Sequence, residues 1–388
     1  MSLDVRNLQR YGRGDRAAQL APDDSQRPPA QRDVVALCAG NSAETVGLRA
    51  KAIAYSDQVW LHVAGLNNDR LPPRPLPVRR ADGTSGVLAL TERLILDGEH
   101  PRERVQDDPL LAARYADLLR GVPVFETYPR AGAGGHGLPV ISALDMDLHL
   151  DQILGWIRRH LALLHDTPTT NTGASDLQQL VQRAQRRTDT PRERRVLVIG
   201  GASGAMGNAA HHLLPPLIRY VLAEQGVTNY QLWGVLLGPR AFTGLTPYVR
   251  QNARALLEAL EYMSRHGMHR AYSPEVVVRA QQPPYDRVFI LDDPSIPAAG
   301  TTATEAELER FFDRAALSVA TLLRDSTWAT VASHIANDDG VPREDGQLRY
   351  LHTVQTALLA ADRPRLHAML TAALASEVAN RFLTRFAA

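Results

Sequence analysis

Arg194–Met206 reads RRVLVIGGASGAM: the apolar run Val196, Leu197, Val198, Ile199 breaks into Gly200, Gly201, Ala202, Ser203 and Gly204, and the helical pattern AAHHLLPPLIRYVL follows. An apolar run of this length ending in small residues predicts a buried parallel strand, a tight turn and a helix start. Residues without bulky side chains let the backbone approach a ligand closely. The free N–H groups of a helix start then favour an anion, a phosphate above all. The competing reading is packing, in which small residues only let the helix lie close to its strand.

Working outward, two further turns have the same form. Upstream, Asp33–Ala39 (DVVALCA) is a buried strand candidate that runs into Gly40, Asn41 and Ser42 and then into AETVGLRAKAIAY. Asn41 or Ser42 is placed to cap that helix, whose N-terminus faces an anion in the same way. Gln58–Gly65 (QVWLHVAG) is a second strand, ending in Leu66, Asn67, Asn68 and Asp69. A polar, acidic turn after a parallel strand lies at the carboxyl edge of the sheet, where open α/β folds bind ligands. Arg70–Gly86 reads as a loop and Val87–Gly121 as two helices. Arg130–Gly137 (RAGAGGHG) is another dense glycine loop, holding Gly132, Ala133, Gly134 and Gly135. One helix follows, with Leu150, Ile153, Leu154, Ile157, Leu161 and Leu164 on its apolar face. Glycine loops that repeatedly precede a helix favour ligand binding over packing. His136 reads as a solvent-exposed loop histidine rather than a phosphate contact.

Downstream of the opening stretch, Asn229–Leu237 is a strand, Gly238–Thr246 (GPRAFTGLT) a loop, and NARALLEALEYM the end of a helix. Val276–Arg279 and Arg287–Asp293 continue the alternation, which predicts a mostly parallel α/β sheet with helices on both faces. The longest helix candidate is Thr302–Arg324, with Thr302/Glu305 or Thr304/Glu307 as a capping box. It is placed to join two domains. The expected organisation is a mobile tail over 1–31, open to a regulatory or partner-binding role, a nucleotide-binding domain over 32–301, a central helix over 302–325, and a small C-terminal α/β domain over 326–388. That last domain would hold the polar run SHIANDDG, a strand at Leu348–Thr356 and a helix at Arg363–Leu383.

Composition excludes several classes. The chain has 388 residues, 44% hydrophobic and 22% charged, with net charge +1, so no nucleic-acid or acidic partner is indicated. Lys51 is the only lysine, and Ala205 and Met206 stand where a P-loop would place its phosphate lysine. Cys38 is the only cysteine, which leaves no disulfide framework or cysteine zinc site and suggests a reducing compartment. The start MSLDVRNLQR has no apolar segment and no stretch of ~18 apolar residues occurs, so a soluble cytoplasmic protein is expected.

From Asp33 to the C-terminus the order of these motifs resembles the tubulin/FtsZ superfamily of GTPases, and in particular its bacterial tubulin-like branch. Gly200–Met206 is similar to that family's glycine-rich signature loop, with Ser203 keeping the hydroxyl and Ala202 and Met206 in place of glycines. Gly132, Ala133, Gly134 and Gly135 resemble its second glycine loop, and Pro239, Phe242 and Gly244 its P-x-x-F-x-G pattern, with Thr243 at the ribose-binding position. Asp292 aligns with the guanine-contacting Asn, whereas the first glycine turn is reduced to Gly40, Asn41 and Ser42.

The resemblance implies GTP or GDP with Mg²⁺ at the carboxyl edge of the sheet, Asp69 facing the metal. It also implies head-to-tail self-assembly, in which an acidic loop of one copy completes the next copy's site. Asn337, Asp338 and Asp339 occupy the plausible loop, although they do not reproduce the family's NxDxxD pattern. Two alternatives stay open: a degenerate tubulin-like scaffold that does not turn GTP over, and a Rossmann oxidoreductase. Against the second, GASGAMG is not a clean G-x-G-x-x-G, and no acidic residue is evident at the next strand end.

Overall fold

The computed structural model describes residues 34–56, 61–79, 85–120, 122, 135–164, 194–227, 229–245, 247–280, 283–293, 296, 303–323 and 351–353. In chain order the strands are β1 (Val34–Ala39), β2 (Leu61–Asn67), β3 (Leu76–Arg79), β4 (Ser85–Leu88), β5 (Arg93–Ile95), β6 (Arg194–Gly201), β7 (Tyr230–Leu237), β8 (Met268–Ala271), β9 (Val277–Ala280), β10 (Arg287–Leu291) and β11 (Leu351–Thr353). Seven of them form one sheet in the order β11-β10-β7-β6-β1-β2-β5, with every neighbouring pair parallel. The apolar character of β1 and of Val196–Ile199 in β6 follows from this, because a strand in the middle of a covered parallel sheet has no face to give to water.

The chain builds outward from β1 to β2 and β5, then returns to the other side of β1 for β6, β7 and β10. The carboxyl ends of β1 and β6 therefore flank the switch point of the sheet, where open α/β folds form a crevice. Helices cover both faces. On one lie α1 (Asn41–Ser56) and the late helix α8 (Glu305–Leu322). The α2 (Pro101–Asp107) and α3 (Pro109–Leu119) helices pack with α4 (Pro139–Leu148). The opposite face of the sheet is filled by α5 (Leu150–Leu161), α6 (Ala205–Glu224) and α7 (Val249–His266).

The Thr304/Glu307 capping box is the one formed: the Thr304 hydroxyl accepts from Glu307 N–H and the Glu307 carboxylate accepts from Thr304 N–H. Arg49 on α1 ties that helix to α8 by ion pairs to Glu309 and to Asp313, the latter at 2.7 Å, and lies over the Phe312 ring.

Four local expectations differ. Val276–Arg279 does not continue the main sheet, for β8 and β9 make a separate antiparallel hairpin. Arg70–Gly86 contains β3 and leads into β4, another antiparallel hairpin, and the expected helices of 87–121 begin only at Pro101. The single helix after the second glycine loop is two, α4 and α5, which meet at His149. Leu351–Thr353 pairs with β10 and so extends the main sheet rather than a separate unit. The 1–31 tail, the connector after Leu164, and the rest of the expected C-terminal domain lie outside the described residues.

Burial keeps three histidines of this core neutral: His211 titrates at about 3, and His160 and His212 at about 4, burial being the first cause for each. Unfolded histidine titrates near ~6.5, so the unfolded chain binds more protons as pH falls below that value. Stability should therefore decline from pH 7 towards pH 4. Glu44 and Asp292, whose carboxyls burial raises, oppose the decline because their native forms take up protons first. The unfolded histidines begin to take up protons at ~6.5, above the usual carboxylate range, so the decline is expected to lead between pH 7 and pH 5. A urea midpoint that stays flat between pH 7 and pH 5 would contradict this balance.

Candidate functional site

The crevice is built from two strand ends. After β1, Gly40 adopts φ +86°, the left-handed region that favours glycine, donates to Leu66 O and lets α1 begin at Asn41. After β6, Ala202 N–H donates to Leu237 O at 2.9 Å, and α6 starts at Ala205 with Gly204 as its N-cap and no side chain closing its first turn. The N–H groups of that turn are therefore not met by a capping side chain.

The glycines of the signature turn divide into two kinds. A Cβ on Gly200 would lie 2.8 Å from His211 Nε2, and one on Gly207 would lie 2.2 Å from Gly201 N, so these positions serve close helix–strand contact. A Cβ on Gly204 meets nothing within 4 Å and faces open space. The packing reading thus accounts for Gly200 and Gly207 but not for Gly204. Ala202 and Met206, the departures from glycine, are buried in the core beneath the turn.

Gly135 is the described end of the second glycine loop. A Cβ there would fall 2.4 Å from Ala205 Cβ, so this loop abuts the first residue of α6. Two side chains that the sequence reading missed hold the loops together. Asn208 donates to Ala202 O at 2.8 Å, and Asn252 donates to Ser203 O at 3.0 Å and to Gly137 O at 2.8 Å. With these carbonyls turned towards α6 and α7, the Ser203 hydroxyl is buried and has no hydrogen-bond partner among the described residues. Both asparagines lie within helical sequence, and nothing in their spacing marks them.

Across the crevice, Asn41 does not cap α1. Its amide donates to Asp69 Oδ2 at 3.0 Å and accepts from Asn67 at 2.6 Å. Asp69 Oδ1 accepts from Leu71 N–H. Ser42 lies in the first turn of α1. Beneath this layer Glu44, fully buried, is gripped by Arg93 through Nε at 3.0 Å and Nη2 at 2.9 Å. Burial raises the Glu44 carboxyl despite the pull of Arg93. The 49-residue separation of Glu44 and Arg93 leaves no local signal for the pair.

At the far end of the crevice, Asp292 lies against Gly238, and its Oδ1 accepts from Arg240 N–H at 3.3 Å and Asp293 N–H at 3.1 Å. Its Oδ2 lies 3.6 Å from Arg240 Nε, an ion pair. Thr243 donates its hydroxyl to Pro239 O. A cavity of about 350 Å³ opens beside Ala202 and Gly238, with Leu236, Leu257 and Ile290 as apolar wall and Arg250, Arg254, Glu258 and Glu261 as charged lining. Gly132, Ala133, Gly134, Asn337, Asp338 and Asp339 lie outside the described residues, and His136 is exposed on its turn.

The donor set fits a phosphate: uncapped N–H groups, an open Gly204, and a buried hydroxyl. No group of three or more His, Cys, Asp or Glu poised for a metal occurs among the described residues. Magnesium usually keeps waters and binds through one or two carboxylates and the phosphates themselves, a demand that Asp69 alone can meet. Ser203→Ala separates the two roles of the turn. Removing a buried hydroxyl without a partner should leave the free protein equally or slightly more stable, by up to about 1 kcal/mol, and weaken phosphate binding. Calorimetry and thermal unfolding on the same sample check the opposite signs.

No family model matches the sequence, and no curated protein matches it. Among solved structures, the chain is similar to a GTPγS-bound protofilament of CetZ2 from Haloferax volcanii, with 14% identity, a TM-score of 0.41, and coverage of 79% of this chain and 63% of that one. It is also similar to a GTPγS-form protofilament of TubZ from Bacillus thuringiensis serovar israelensis, at 12% identity, TM-score 0.36, and coverage of 75% and 55%. The GDP-form protofilaments of that TubZ match at 12% identity, TM-score 0.31, and coverage of 68% and 48%. The chain thus spans less than two thirds of the length of each of these proteins. No helix among the described residues is long and apolar enough to cross a membrane.

Proposed function

We propose that the chain is a tubulin-like guanine-nucleotide-binding protein that assembles head to tail with copies of itself. The observation that carries the reading is the buried Ser203 hydroxyl, without a hydrogen-bond partner among the described residues, beside the uncapped start of α6 at the switch point of a parallel sheet. The backbone N–H groups of Ser203 to Met206 and the second glycine loop would hold the phosphates. Asp69 would face Mg²⁺, whose chemistry is to neutralise phosphate charge, and Asp292 Oδ2 would accept from the N–H edge of guanine. In these roles the nucleotide would compete with Asn41 for Asp69 Oδ2 and with Arg240 for Asp292 Oδ2.

Self-assembly is supported by the same edge. Leu71, Leu245 and Tyr248 are exposed on loops beside the crevice, 70%, 54% and 47% accessible, where a second copy would cover them. A head-to-tail contact is heterologous and need not close, so it yields filaments. The Asn337–Asp339 loop is proposed to approach the neighbour's nucleotide. The oxidoreductase alternative is disfavoured, since β7 ends in Leu237 and Gly238 rather than in the acidic residue that would take a ribose hydroxyl.

The direct test denatures the purified protein and identifies released nucleotide by chromatography, then compares GTP with ATP by calorimetry. Guanine nucleotide release and a preference for GTP support the reading. Sedimentation with excess GTP and Mg²⁺ tests assembly, and a protein that stays monomeric there refutes that part.

A further inference from the structure

We infer that Asn252, on α7, is a positioning residue that ties the signature turn to the Gly135–Gly137 end of the second glycine loop, so that occupancy of the turn orders that end. The inference rests on the nucleotide reading above and names how that site is held. One amide group donates both its N–H bonds, to Ser203 O at 3.0 Å in the signature turn and to Gly137 O at 2.8 Å beside the second loop. Because both partners are carbonyl oxygens, the NH₂ side of the amide must face them. The Asn252 backbone carbonyl in turn accepts from Asn208, which also holds Ala202 O, so three carbonyls of the two loops are referred to one point on α7.

The geometry gives the latch a direction. With the Ala202 carbonyl held by Asn208 of α6 and the Ser203 carbonyl by Asn252 of α7, the two peptide groups that follow them are fixed in orientation beside the uncapped start of α6. Gly135 in contact with Ala205 leaves no slack between the loops, so displacing one carries the other with it. Asn252 itself sits on the α7 side of both carbonyls and makes its contacts through the backbone of the loops alone.

Asn252→Asp keeps the size of the side chain and replaces the NH₂ that donates both bonds with one carboxylate oxygen facing two carbonyls, which turns the latch into a repulsion. Asn252→Ala removes it without repulsion and guards against a variant that fails to fold. Hydrogen exchange on the full-length free protein is expected to rise in 135–142 and 201–208 together, with β1 and β10 unchanged. GTP affinity by calorimetry should fall at least tenfold. Added GTP should protect both segments in the wild type, but only 201–208 in Asn252→Ala. Unchanged exchange at 135–142 in both variants, or GTP protection of both segments persisting in Asn252→Ala, overturns the inference. If wild-type protein neither binds GTP nor gains protection, the nucleotide reading fails instead, and the latch is judged on free-protein exchange.

Discussion

Gly204→Val should abolish guanine-nucleotide binding and leave the fold intact, whereas Gly207→Ala, three residues later and a far smaller change, should damage the fold. The backbone at Gly204 is extended, φ −77° and ψ 155°, a region valine adopts readily, and a Cβ there meets nothing within 4 Å. The added isopropyl group projects into the open side of the turn, where a phosphate would lie. A loss on the order of a hundredfold in GTP affinity, about 2.7 kcal/mol, is expected. Helix α6 loses about 1 kcal/mol, because valine is a poorer N-cap than glycine, too little to unfold it.

At Gly207 the methyl group would stand 2.2 Å from Gly201 N and 2.7 Å from Gly201 O, against backbone that cannot swing aside. Overpacking of this kind costs about 1–3 kcal/mol or more. Calorimetry with GTP and far-ultraviolet dichroism on both variants check the pair. If Gly204→Val binds GTP as tightly as the wild type, the turn is packing throughout and the phosphate assignment is wrong.

That pair also shows where sequence legibility ends. The strand, turn and helix of Arg194–Glu224 were readable because burial on both faces forces continuous apolar residues and a turn forces small ones. The same logic gave β1, β2, β7 and the capped start of α8. It failed where an element is short or its partner distant. β5 has three residues, half-exposed, and joins the sheet only through β2. The run VVRA of β9 carries strand propensity but no information on its partner, which is the antiparallel β8. The sequence marks the glycines only as a group, and the fold separates Gly207, which serves packing, from Gly204, which faces open space. Asn208 and Asn252 look like ordinary polar positions of helices until the carbonyls they hold are seen.

Arg93 is a further residue invisible to local pattern, and its removal should have the largest effect on stability at the site. Its side chain, 11% accessible, donates to both oxygens of the wholly buried Glu44 and to the carbonyls of Asp69, Arg70 and Leu71. It thus compensates a buried charge and fixes the loop that carries Asp69. In Arg93→Met the Glu44 carboxylate would lose its cation within the core, and breaking a buried pair in this way costs about 3–5 kcal/mol. Burial already raises the Glu44 carboxyl, and the Arg93 cation opposes that rise. Without it the carboxyl rises further, so the native variant takes up a proton at a pH where the unfolded chain, titrating near ~4.3, is still ionised. The deficit of the variant should therefore be greatest near pH 7.5 and shrink as pH falls towards 5.5. Urea unfolding of wild type and variant at those two values measures it. A second substitution, Glu44→Gln in the Arg93→Met background, leaves no buried charge and should recover most of the loss at pH 7.5. If it recovers nothing and the deficit is the same at both pH values, Arg93 acts through the three loop carbonyls rather than through Glu44, and its effect should then appear as a weaker Mg²⁺ dependence of GTP binding at Asp69.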